Sequence, residues 1–112
     1  MTDRVVHILR PPDGLDRDDV LYIGRAMPQY RLSRSIYANP FRITGSETRT
    51  EVIARYAAWL AVRPEIIASL RVLPLDTDVV FACWCTPLPC HGEILVALRQ
   101  QWREEAKEQA DA

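Results

Sequence analysis

Val79-Val80-Phe81-Ala82-Cys83-Trp84 is an unbroken apolar run introduced by the turn residues Asp76-Thr77-Asp78. A run this short with no polar alternation reads as a strand covered on both faces, which predicts a position inside a sheet rather than at its edge. A helical pattern starts near His91, placing Ile94, Leu95, Leu98 and Trp102 on one face through Ala106. The residues between are a proline-bounded turn, so the order is strand, turn, helix. That order predicts an α/β chain with a small central sheet of about three to four strands flanked by helices. At 112 residues the chain suffices for a single domain and one core, residues 1–112.

Two earlier stretches supply the other strands. Val5 to Leu9 is apolar and β-branched until Pro11-Pro12-Asp13-Gly14 stops it, and Val20 to Ile23 repeats the pattern before Gly24-Arg25. Ala26 to Gly45 has no sustained period, contains Pro28 and Pro40, and carries Tyr30, Tyr37, Asn39 and Phe41. It reads as a long loop pinned by its aromatic residues. Thr48 and Glu51 have capping-box spacing and open a helix with Ile53, Tyr56, Ala57 and Leu60 on one stripe, widened by Val52 and Trp59. Arg63-Pro64 ends it, and Pro64 begins a second helix with Ile66, Ile67 and Leu70 inward. Residues 104–112 read as a polar, frayed C-terminal tail.

All three cysteines and one of the two histidines fall between Cys83 and His91. On an extended strand Cys83 and Cys85 point to one side and Trp84 to the other. Cys90 and His91 return at the first turn of the next helix, where unpaired N–H groups and a positive dipole end favour a thiolate at Cys90. His91 could then exchange a proton with it. Three chemistries use these residues. Cys90, His91 and an assisting Cys85 make a reactive or ligand-binding cluster. Cys83, Cys85, Cys90 and His91 are the residue types of a zinc site, although their spacing departs from paired knuckles and adjacent Cys90 and His91 do not readily face one ion. A packed interior with inert thiols uses them equally. A redox pair of Cys85 and Cys90 is a variant of the first.

Outside the cluster, Gly24 ends a strand where a ligand can approach backbone, Arg25 stands beside it as an anion clamp, and Asn39 before Pro40 presents an amide. Each has a plainer reading as a turn residue or a surface charge. The formal net charge is -1, and Lys107 is the one lysine among 14 basic residues. Arg25, Arg31, Arg34, Arg42, Arg49 and Arg55 make one segment locally positive, which suits phosphate or carboxylate. No block of adjacent basic residues marks a nucleic-acid footprint, so a nucleic-acid partner stays open. Met1 to Arg10 has no signal-peptide core and no run approaches a bilayer span. A cytoplasmic location without membrane contact is the expectation, and there clustered cysteines are reduced thiols, ligands or nucleophiles.

Tyr22-Ile23-Gly24-Arg25, Asn39-Pro40-Phe41, Thr48-Arg49 opening a helix with Tyr56 and Trp59, and above all Cys83-Trp84-Cys85-Thr86-Pro87-Leu88-Pro89-Cys90-His91-Gly92 carry a family resemblance. The chain resembles the domain of unknown function 4326 family of small phage and bacterial proteins, over nearly its whole length. It is more distantly similar to another uncharacterised α/β family whose motif closes Cys-His-Arg, from which Gly92 departs. The resemblance implies that Gly24, Arg25, Asn39, Cys83, Cys85, Cys90 and His91 form a family signature, and its phage setting makes a nucleotide or modified nucleic acid a natural substrate.

These readings converge on a protein that binds or processes a small phosphorylated or nucleotide-like ligand. In it Arg25 holds the anion, Asn39 reads a polar group, and Cys90, His91 and Cys85 do the chemistry. The alternative is a non-catalytic zinc-stapled module for a protein or nucleic-acid partner. A third class, an inhibitor of a host defence enzyme, leaves no mark in the residues. Oligomeric state is not encoded in anything read above.

Overall fold

The computed structural model of the chain describes residues 2–42, 48–86 and 88–111. Three strands form one parallel sheet: β1 (Arg4–His7), β2 (Leu21–Tyr22) and β3 (Val80–Cys83), in the order β1-β3-β2. Among the described residues three α-helices accompany it: α1 (Arg49–Ala61), α2 (Pro64–Arg71) and α3 (Gly92–Asp111). The apolar run therefore sits in the middle of the sheet, as expected of a strand with no polar face. Val5 and Leu21 both pair with Phe81, and Val6 and Tyr22 both pair with Ala82, from opposite sides of β3. All three strands are shorter than the apolar runs that encode them. Pairing stops on the β1 side at His7, where the chain turns with a hydrogen bond from Arg10 N–H to the His7 carbonyl (3.0 Å).

Alternation along β3 divides the interior. Phe81 and Cys83 face a cluster with Tyr56 and Leu60 of α1, Ile66 and Leu70 of α2, and Leu95 and Trp102 of α3. Ala82 faces the other way, with Val6, Ile8, Tyr22, Leu32 and Trp84, so strands and loops rather than helices cover that side. The helices are thus segregated to one face of the sheet.

Local chemistry explains the helix limits. Thr48 caps α1, its Oγ1 accepting from the Glu51 N–H at 3.2 Å, and Pro64 occupies the first turn of α2, where its missing donor costs nothing. Val52, Tyr56 and Leu60 form the buried stripe of α1. The residues read as a polar tail continue α3 to Asp111. Glutamate, glutamine, alanine and lysine are good helix formers, and side-chain bonds from Gln100 to Glu104 (3.4 Å) and Gln101 to Glu105 (3.0 Å) join successive turns. The described part of the loop after β2 contains a 3-10 turn, Pro28–Tyr30, and a bridge between Met27 and Leu32. Its last part, with Gly45, lies outside the described residues, as does Pro87 of the turn after β3.

A polar hub absent from the sequence reading holds the sheet to α3. Asp3 is 3% exposed and Arg99 is fully buried, with Arg99 Nε donating to Asp3 Oδ2 at 2.9 Å. Arg103 adds two bonds to the same carboxylate, at 2.8 and 3.0 Å. The Val79 N–H donates to Asp3 Oδ1 at 2.8 Å, and the two guanidiniums also donate to the carbonyls of Leu73, Pro74, Leu75 and Thr77. Four carbonyls of the loop that leads to β3 are thereby tied to α3.

α3 begins where backbone must come close to the sheet. A Cβ on Gly92 would stand 2.8 Å from both Ile23 Cδ1 and Val5 Cγ2. Val5 is β-branched and held in a strand, so it cannot yield by rotation. Gly92→Ala is expected to lose about 1–3 kcal/mol of stability through overpacking. Urea denaturation would read this as a lower midpoint at unchanged slope.

Candidate functional site

The end of β3, the start of α3, the loop after β2 and the first turn of α1 enclose a pocket of about 500 Å³. Cys83, Cys85, Cys90 and His91 form one wall, and Gly24, Arg25 and Asn39 form another. All seven residues singled out by the sequence therefore line a single cavity. Arg42, Arg49, Met27, Phe41, Val52 and Ile53 complete much of its rim. Among the described residues that line it there are three arginines and no carboxylate.

The sulfurs converge because the strand and the turn bring them back on one side. Cys83 and Cys85 lie two apart and pack in the helix-side cluster, while Trp84 packs in the opposite one. The turn is closed by a hydrogen bond from Leu88 N–H to the Cys85 carbonyl (2.8 Å), which returns the chain to Cys90. Cys83 Sγ and Cys85 Sγ are 3.7 Å apart, and Cys90 Sγ is 3.5 Å from His91 Nδ1. One donor atom each of Cys83, Cys90 and His91 lies within 4.8 Å of the other two. Adjacent residues can meet in this way because the chain changes direction on entering α3, where side chains no longer alternate as in a strand. All three cysteines are free thiols.

His91 is fixed at both ring nitrogens. Its Nε2 is 2.8 Å from the Ile23 carbonyl oxygen, which can only accept, so Nε2 carries the proton and Nδ1 turns its lone pair toward Cys90. Tyr56 meets the ring edge-on with centroids 4.9 Å apart. Burial holds the imidazole below its ordinary pKa, favouring the neutral form.

At Cys90 the surroundings oppose the thiolate that a helix N-terminus favours. Cys90 is 3% exposed, and although the Gly92 N–H points at its sulfur (3.4 Å), the adjoining Cys83 and Cys85 thiols and burial push its pKa upward. Cys85 is half-buried on the pocket side. Hydrogen bonds from the Cys83 and Cys90 thiols, with Arg49 close by, outweigh burial and hold Cys85 far below the ordinary thiol range. Arg49, one of the arginines of the locally positive segment, thus favours the charged form of the Cys85 sulfur.

The other wall has more structure than the sequence suggested. Arg25 donates from one terminal nitrogen to the Phe41 carbonyl at 2.9 Å and, longer, to that of Asn39 at 3.5 Å. Burial, then repulsion from Arg42 and Arg34, lowers its pKa. Asn39 Oδ1 accepts from the Phe41 N–H at 2.9 Å, so this amide oxygen builds the turn that holds the arginine. At Gly24 a Cβ would stand 2.5 Å from the Tyr22 hydroxyl. That hydroxyl accepts from Trp84 Nε1 at 2.7 Å and donates to the Arg25 carbonyl at 2.5 Å, which explains a glycine there without a ligand.

Among the described residues no helix is long and apolar enough to cross a membrane. No curated protein and no solved structure matches the chain significantly. A family model described as Domain of unknown function (DUF4326) matches residues 6–101, from within β1 through the first half of α3 and including every described residue that lines the pocket. A match spanning that much of the fold and the whole of its cavity makes the chain a member of this family.

Proposed function

We propose that the protein binds a small phosphorylated or nucleotide-like anion in this pocket. The observation that carries the reading is a ring of like charge: Arg25, Arg42 and Arg49 line one cavity with no carboxylate among its described lining residues. Mutual repulsion of guanidiniums around one cavity is unfavourable, more so at the half-buried Arg25 and Arg49 than at the exposed Arg42, and an anion placed between them relieves it. The first turn of α1 adds its dipole to the same side of the pocket, since Arg49, Val52 and Ile53 all line it. At 500 Å³ the cavity is in the size range of small-molecule sites. In this reading Arg25 and Arg49 hold the anion, Asn39 and Gly24 shape the loop wall, and Cys85, backed by Cys90 and His91, faces the part of the ligand that is recognised or altered. The free thiols fit a reducing, cytoplasmic setting.

The test is a thermal-shift and calorimetric panel of inorganic phosphate and nucleoside mono-, di- and triphosphates. Wild type is expected to be stabilised by at least one of them. Arg49→Ala, which loses one charge-assisted contact, is expected to weaken that ligand by about tenfold or more. If no phosphorylated ligand shifts the wild-type transition, the reading fails. A second reading, the zinc-stapled binding module, is favoured by the grouping of one donor atom each of Cys83, Cys90 and His91 within 4.8 Å of one another, with the Cys85 sulfur 3.7 Å from that of Cys83.

A further inference from the structure

We infer that Cys83, Cys85, Cys90 and His91 Nδ1 bind one zinc ion in the wall of the pocket, with Cys85 as the ligand on the solvent side. The argument is one of lengths. With metal–sulfur bonds of about 2.3 Å and metal–nitrogen bonds of about 2.0–2.1 Å, a tetrahedral ion holds neighbouring sulfurs about 3.8 Å apart and a sulfur and nitrogen about 3.5 Å apart. The Cys83–Cys85 sulfurs stand at 3.7 Å and the Cys90 sulfur and His91 Nδ1 at 3.5 Å. Two opposite edges of the tetrahedron are thus preformed, and the buried trio Cys83, Cys90 and His91 already lies within 4.8 Å pairwise.

The orientation of His91 is the second, independent observation. A metal-ligating imidazole typically anchors its other nitrogen on a carbonyl or carboxylate, which fixes the tautomer and aims the lone pair. Nε2 of His91 does this on Ile23, and Nδ1 faces the sulfurs. Tyr56, whose hydroxyl is tied to the Tyr37 carbonyl at 2.8 Å, holds the ring from the side. Three thiols with one nitrogen select a thiophilic tetrahedral ion, so zinc rather than magnesium or calcium is the fit. Thiolate ligation expels to solvent, as the ion binds, the protons that the thiols still carry. The bound centre then carries one net negative charge, which Arg49 and Arg25 partly offset while the rim stays positive overall.

The geometry stands without the anion reading, and the measurements separate the two. Full-length protein purified without chelator is expected to contain one zinc per chain by elemental analysis. Its cobalt-substituted form is expected to show tetrahedral visible bands with thiolate charge-transfer absorption. Cys85→Ser, at the half-exposed corner, is expected to retain tetrahedral cobalt with charge-transfer intensity reduced from the three-thiolate to the two-thiolate level. Absence of zinc together with an unchanged thiol titration after zinc is supplied to the wild-type chain would overturn the site, as would iron or copper in its place. Metal content is read with no ligand added. A chain that carries zinc but ignores every phosphorylated compound keeps this inference and loses the anion pocket, and the converse result does the reverse.

Discussion

Asp3→Ala is expected to cost about 3–5 kcal/mol, the usual penalty for stranding a buried charge by removing its partner. Arg99 is fully buried and Asp3 supplies its carboxylate, so the variant leaves a guanidinium with only backbone carbonyls. That is a large share of the ~5–15 kcal/mol that keeps a domain folded. Chemical denaturation of wild type and variant at neutral pH would measure it, and a loss under 1 kcal/mol would contradict the role given to the hub. The same carboxylate sets a pH signature. Burial alone would raise its pKa, but bonds from Arg103, the Val79 N–H and Arg99 outweigh burial and hold it below the ordinary value. The unfolded carboxyl, near about 3.9, takes up its proton before the folded one does. The contribution is therefore complete above about pH 5 and is lost as pH falls through 4 toward the depressed folded value. Asp3→Asn is expected to flatten that part of the acid limb relative to wild type.

Tyr56→Ala is expected to be about as damaging, at about 3–5 kcal/mol, because it empties a fully buried aromatic site. Its second effect falls on the pocket. The Tyr56 hydroxyl donates to the Tyr37 carbonyl at 2.8 Å, two residues before Asn39, and its ring braces His91. Tyr56→Phe keeps the ring and removes only the bond, for about 1–3 kcal/mol, the cost of leaving a buried carbonyl unpaired. The comparison separates the ring from the hydroxyl. If the phenylalanine variant were as unstable as the alanine one, the hydrogen bond rather than packing would dominate, contrary to expectation.

What could be read beforehand follows from which signals are local. β3 was legible as a central strand because burial on both faces leaves no polar position in Val80–Cys83. α1 was legible from Thr48 and the Val52, Tyr56, Leu60 stripe. The pocket wall was legible because its cysteines and His91 crowd into nine positions, 83 to 91. Asp3 was not, since its partners lie 76 to 100 residues away and nothing near it in the chain marks a buried acid. A faint signal did exist in α3: Arg99 and Arg103 stand four apart on the face that carries Leu95 and Trp102, an odd place for charge unless something buried receives it. Arg42 and Arg49 were visible as basic residues, but only folding shows that they line the same cavity as the sulfurs.

The order of the sheet has a consequence for how the chain is made. Both outer strands hydrogen-bond to β3 alone, and β3 starts at residue 80. A nascent chain brings β1 and β2 out of the ribosome well before β3, with no strand of this sheet to pair with. Neither the sheet nor the sulfur-lined wall can exist until β3 and the turn to α3 have emerged. Fragments cut before that point are therefore left with unpaired strand edges and nothing to close them.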